Sequence, residues 1–187
     1  MAALLGTVLL LAATTADLPS EALEDRRNTA RLTVGGGAVM AASYPGSMED
    51  PGPGLVFAKP FWLGKRHRAF QWVFDASGLA SYGSYSNHPR FSLGLRYGFD
   101  LFLGRTYGME FRLGAAAALQ AGARTVAGLE IFTFSWAHSF RVAKDDDHRV
   151  KIITFANSGF WLRRDPGNDM GMSASVMGIA AAYELPY

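Results

Sequence analysis

The chain has no cysteine, which excludes disulfides and thiolate metal sites and suits a compartment whose oxidising machinery attacks free thiols. It has no apolar run of the ~20 residues that a membrane-spanning helix needs. Beyond Ala30 it also lacks the i, i+3, i+4 apolar spacing of an amphipathic helix. Charge is sparse: Asp, Glu, Lys and Arg make up 18% of the 187 residues, and the formal net charge is +2. No clustered basic stripe is present, so nucleic acid is excluded as a partner. What the chain does have is apolar surface, 49% of its residues, enough for one well-buried domain and too little length for two.

The N-terminus carries a short apolar run. Leu4 to Ala13, LLGTVLLLAA, has the length of a signal-peptide core, and Thr14, Thr15 and Ala16 follow before a polar stretch opens at Asp17. The segment resembles a secretory signal peptide cleaved after Ala16, although no Lys or Arg precedes the run.

From Ala30 onward the chain reads as extended segments separated by Gly, Pro, Asn and Asp. Eight are expected: Ala30 to Ser43, Gly54 to Leu63, Arg68 to Ala80, Arg90 to Leu103, Gly108 to Ala121, Thr125 to Arg141, Arg149 to Arg163 and Gly171 to Tyr187. Most exceed the usual strand of a soluble domain and reach the ~9–11 residues of a tilted membrane strand. The run AAAALQAGA from Ala115 to Ala123 is helix-prone by composition, but its position between glycines and between two strands predicts a strand of small residues. Pro60 falls inside the second segment, where it removes a ladder hydrogen bond unless a bulge accommodates it.

Arg90 to Gly104, RFSLGLRYGFDLFLG, alternates without a break: Phe91, Leu93, Leu95, Tyr97, Phe99, Leu101 and Leu103 on one face, Arg96, Asp100, Ser92 and glycines on the other. Neighbouring segments repeat the pattern. Phe70, Trp72 and Phe74 flank Gln71 and Asp75; Met109, Phe111 and Leu113 flank Glu110 and Arg112. A soluble sandwich puts many Lys, Glu and Thr outward, whereas small residues with sparse charges of both signs suit a narrow barrel interior. Asp75, Arg96, Asp100, Glu110 and Arg112 are therefore expected to form a salt-bridge network in the lumen. Gly35, Gly37, Gly94, Gly98 and Gly114 would make room for the arginines. Phe61, Trp62, Tyr97, Tyr107, Trp136, Phe140, Trp161 and Tyr183, near strand ends, are candidates for interfacial belts. In the sixth segment Phe132, Phe134 and Trp136 share a face with Glu130 while Leu129 and Ile131 lie on the other, which a bulge would explain.

The chain ends AAAYELPY, with Tyr183, Leu185 and Tyr187 on one face. This resembles the C-terminal assembly signal of bacterial outer-membrane barrels; Ala182 and Pro186 depart from its commonest form. Together with the signal-like start and the eight segments, the mature chain resembles the small eight-stranded outer-membrane barrels, the class that includes the OmpA transmembrane domain. The resemblance implies an all-β, eight-stranded antiparallel up-and-down transmembrane barrel at 30–187, a signal peptide at 1–16 and a short periplasmic segment at 17–29. Its implied partners are outer-membrane lipids, lipopolysaccharide and, through Tyr183, Leu185 and Tyr187, the barrel assembly machinery of a Gram-negative cell. The longer connections, Tyr44 to Gly54, Ser81 to Pro89 and Arg163 to Gly171, become candidate surface loops on a rigid scaffold.

Chemistry is thinly represented. Lipid A deacylases have this architecture and use Ser, His and an acid on the outer surface, but neither Ala137-His138-Ser139 nor Ser84-Tyr85-Ser86-Asn87-His88 has their residue order. His138 and Ser139 are adjacent in a strand and point to opposite faces. Asp145, Asp146 and Asp147 lack the Gly and distal Glu of a calcium loop. No catalytic residue, metal or cofactor is expected; the function implied is an integral barrel with a filled lumen and a structural or surface-interaction role. The alternatives are a lipid A-modifying enzyme, a narrow porin-like channel, and a soluble lipocalin-like barrel with its faces inverted.

Overall fold

The computed structural model describes residues 31–43, 47–48, 51–67, 70–82, 89–103, 106–121, 126–142, 148–162 and 172–186. Eight long strands account for nearly all of them: β1 Arg31–Ser43, β2 Gly52–His67, β3 Phe70–Tyr82, β4 Pro89–Phe102, β5 Tyr107–Gln120, β6 Val126–Arg141, β7 Arg149–Leu162 and β8 Met172–Pro186. A two-residue strand, Ser47–Met48, pairs back on the end of β1. Every long strand runs antiparallel to the next, and β8 returns to β1 over thirteen partner pairs from Arg31↔Pro186 to Ser43↔Ala174. The sheet is a closed barrel, which removes the unpaired edges that an open sheet of this length would present.

One end of the barrel is joined by connections of two, four and seven residues, after β2, β4 and β6. This turn end also holds Arg31 and Pro186. The opposite, loop end carries the connections after β1, β3, β5 and β7.

Alternation along the strands sorts the side chains. Leu93, Leu55 and Leu95 are 64%, 62% and 57% exposed on the outer wall, while Asp75, Arg112 and Lys151 are each 3% exposed inside. The arrangement is inverted relative to a soluble protein, with charge at the centre and bulky apolar residues outside. Ala115–Gln120 belongs to β5 and pairs on both sides from Ala116 on, Ala116 and Ala118 facing in. Cross-strand partners override the helix propensity of alanine there.

The sixth strand contains the bulge that its period break announced. Its register shifts against both neighbours, and Ile131 and Phe132 both face outward while Glu130 and Thr133 face inward. Pro60 sits two residues past Thr33↔Ala58, the last β1–β2 pair, and keeps Asp75 of β3 as its other partner. No bulge is needed, because the β1 ladder has already ended where the missing N–H falls.

Candidate functional site: the lumen and its wall

Asp75 of β3 receives both edges of Arg96: Nε donates to Oδ1 at 2.8 Å and Nη2 to Oδ2 at 3.1 Å. This fork-on-fork geometry fixes the guanidinium in direction as well as distance. Arg112 Nε donates to the same Asp75 Oδ2 at 3.1 Å, and its Nη2 to Asp100 Oδ1 at 2.5 Å. The remaining Arg112 donor, Nη1, is taken up by the carbonyls of Phe99 and Phe111. Glu110 stands 3.8 Å from Arg112 and accepts from Lys151 Nζ at 2.7 Å. Asp75, Arg96, Asp100, Glu110 and Arg112 thus lie on the inner face, each within 4 Å of an oppositely charged partner.

Five further participants extend it. Lys151 of β7 bridges to Glu184 of β8 at 2.5 Å, and Glu184 accepts from Arg31 of β1 at 3.1 Å. Trp62 Nε1 of β2 donates to Asp100 Oδ2 at 3.2 Å, and Arg96 Nη1 donates to Ser135 Oγ of β6 at 2.9 Å. Every strand thus supplies at least one side chain, so the network cross-braces the whole circumference. Arg31, Arg96, Arg112 and Lys151 are matched by Asp75, Asp100, Glu110 and Glu184, and the charge sums to zero. A buried cation without a carboxylate would cost several kcal/mol, on the order of 3–5 for one broken pair.

Two of the five inward glycines lie against backbone beside the arginines: a Cβ at Gly114 would stand 2.0 Å from the Leu95 carbonyl oxygen and one at Gly98 1.8 Å from that of Phe111. A Cβ at Gly114 would lie 2.7 Å from Arg96 Cα and 2.9 Å from its Cγ, and one at Gly98 would lie 3.0 Å from Arg112 Cα. Gly35, Gly37 and Gly94 instead lie against Ala182, Ala180 and Ala116. Above the ions a cavity of ≈ 60 Å³ is lined by Thr33, Arg96, Thr133, Ser135, Lys151 and Asn157. That is room for a few waters, far below the ~300–1,000 Å³ of a ligand pocket. Thr133 Oγ1, buried with no partner among the described residues, is the group such water would satisfy. Toward the loop end Val39, Leu79, Phe155, Val176 and Ala180 form an apolar cluster, and beyond it Asn157 donates to Glu130 at 2.7 Å.

The outer wall carries a band of stacked rings toward the turn end: Trp72 on Tyr97 at 5.2 Å, Phe70 on Phe99 at 5.1 Å and Phe99 on Phe111 at 5.4 Å. Phe61, Tyr97, Trp136, Phe140 and Tyr183 are exposed on it, and Tyr107 packs against His138. Trp62 departs from its expected place in this belt. Phe61 next to it faces out, so Trp62 faces in, beneath Arg31 at 5.9 Å. The side chain of Trp161 lies outside the described residues.

His138 and Ser139 sit on opposite faces: the imidazole meets Tyr107 outside, while Ser139, 1% exposed, accepts from Arg149 inside. Ser86, His88 and Asp145 to Asp147 lie outside the described residues. Among the described residues no group of His, Asp or Glu could hold a metal ion.

Neither a family model nor a curated protein matches the chain. Solved structures do. Neisserial surface protein A is similar over 84% of this chain and 97% of its own, with a TM-score of 0.56 at 12% identity. Weaker likenesses are to Ail, the attachment invasion locus protein of Yersinia pestis (TM-score 0.45, 9% identity, 83% and 97% covered), and to the outer membrane enzyme PagL (0.46, 14%, 82% and 99%). The first likeness shows the fold. The chain has the architecture of the small eight-stranded outer-membrane barrels, and its apolar exterior around a charged interior is that of a wall facing lipid.

Proposed function

We propose that the chain is an integral protein of the bacterial outer membrane whose lumen is closed by side chains and whose role is structural or surface-interactive, exercised through the connections after β1, β3 and β7. The observation that carries this reading is the neutral eight-ion network, braced by all eight strands, beneath an apolar cluster. A lumen so filled has no continuous water path, so the barrel acts as a scaffold and its activity belongs to what it displays. The opposite orientations of His138 and Ser139 support a non-catalytic role. Residues 1–16 are assigned to export and 17–29 to the periplasm. Tyr183 and Leu185, exposed on the last strand, together with Tyr187, are assigned to recognition by the assembly machinery.

The test is a planar-bilayer recording on the purified full chain, joined to a binding assay with lipopolysaccharide micelles. Silent bilayers, with micelle binding that falls when 83–88 and 163–171 are each shortened, would support the proposal. Steady single-channel conductance would replace it with a narrow channel. Unchanged micelle binding in both shortened chains would remove the loops from the account.

A further inference from the structure

Near the turn end of the outer wall, β5 and β6 hold a hydrogen-bonded pair facing lipid. The Tyr107 hydroxyl lies 2.6 Å from His138 Nδ1, and the rings stack with centroids 6.0 Å apart. Trp136 lies 5.6 Å from the imidazole and Phe140 5.3 Å from the Tyr107 ring. A phenol is the better donor and an imidazole nitrogen the better acceptor, so Tyr107 donates to Nδ1 and Nε2 carries hydrogen. Nε2 has no protein partner among the described residues. A donor on a surface covered by hydrocarbon is costly unless it meets an acceptor there.

Depth identifies that acceptor. Tyr107 is the first residue of β5 and His138 lies three residues before the end of β6, so the pair stands where the apolar wall gives way to headgroups. Trp136 and Phe140 are 39% and 42% exposed beside it and offer ring faces to the glycerol and first methylenes of a lipid. We propose that Tyr107, Trp136, His138 and Phe140 form a site for the phosphodiester headgroup of a glycerophospholipid in the turn-end leaflet, with His138 Nε2–H donating to a phosphate oxygen. Tyr107 is a positioning residue, since its hydroxyl sets the tautomer. The site rests on the membrane-barrel reading above.

The experiment is native mass spectrometry of the folded full chain released from micelles, titrated with phosphatidylethanolamine and, separately, with a diacylglycerol of the same acyl chains. The wild type is expected to retain one phospholipid and no diacylglycerol. His138→Phe should weaken retention about tenfold, as the loss of one hydrogen bond to a charged acceptor implies. Tyr107→Phe should weaken it less, His138→Gln should restore it, and Tyr97→Phe on β4 should leave it unchanged. Equal retention by His138→Phe and wild type, or of diacylglycerol and phospholipid, overturns the site. Folding is followed by the faster migration of unboiled protein on a denaturing gel. Its absence in the wild type would defeat the membrane-barrel reading instead.

Discussion

The two halves of the lumen are closed in different ways by the same wall. Toward the turn end eight ions from six different strands meet in pairs, with distances down to 2.5 Å. In the middle and toward the loop end, Val39, Leu79, Phe155, Val176 and Ala180 close it by apolar contact. The difference is one of tolerance. An apolar cluster loses contacts in proportion to the atoms removed and can relax, whereas an ionic cluster stranded by one deletion keeps its full desolvation cost.

Arg112→Met tests the contrast most severely. It leaves Asp75 and Asp100 without their shared cation and brings Glu110 closer to imbalance, and we expect a loss of about 3–5 kcal/mol in reversible urea unfolding in micelles. Leu79→Ala in the apolar cluster should cost less, about 2–3 kcal/mol by the same measurement. If Leu79→Ala proves the more damaging, the ionic half is not the stronger brace. Gly114→Ala, which drives a methyl group onto the Leu95 carbonyl and the Arg96 backbone, should cost about 1–3 kcal/mol. Its effect should persist in a chain that already carries Arg96→Ala, because the shortest contacts are with backbone that the truncation leaves in place.

Much of this lumen was legible in the alternation of single strands. Arg96, Asp100, Glu110 and Arg112 each lie between two bulky apolar residues and Asp75 between Phe74 and Ala76, and period 2 alone turns them inward. Lys151, between Val150 and Ile152, and Glu184, between Tyr183 and Leu185, carry the same signal, and period 2 alone would have turned them inward too. Arg31 could not be assigned locally at all. Its carboxylate partner is 153 residues away and arrives only when β8 closes on β1. Trp62 was placed outside by its position near a strand end, yet parity with Phe61 excludes that. In β6 the break in period at Glu130 to Phe132 was visible, but which residues it would turn outward depended on register with β5 and β7.

The central claim is the direction of the wall, apolar face to lipid and charged face to the lumen. The absence of cysteine makes a direct test simple: Leu95→Cys carries the only thiol, and a nitroxide attached to it can be studied in a reconstituted bilayer. The account predicts that oxygen, which concentrates in hydrocarbon, relaxes the spin label strongly while a water-soluble nickel chelate barely does. Dominant relaxation by the nickel chelate would place Leu95 in water and contradict it.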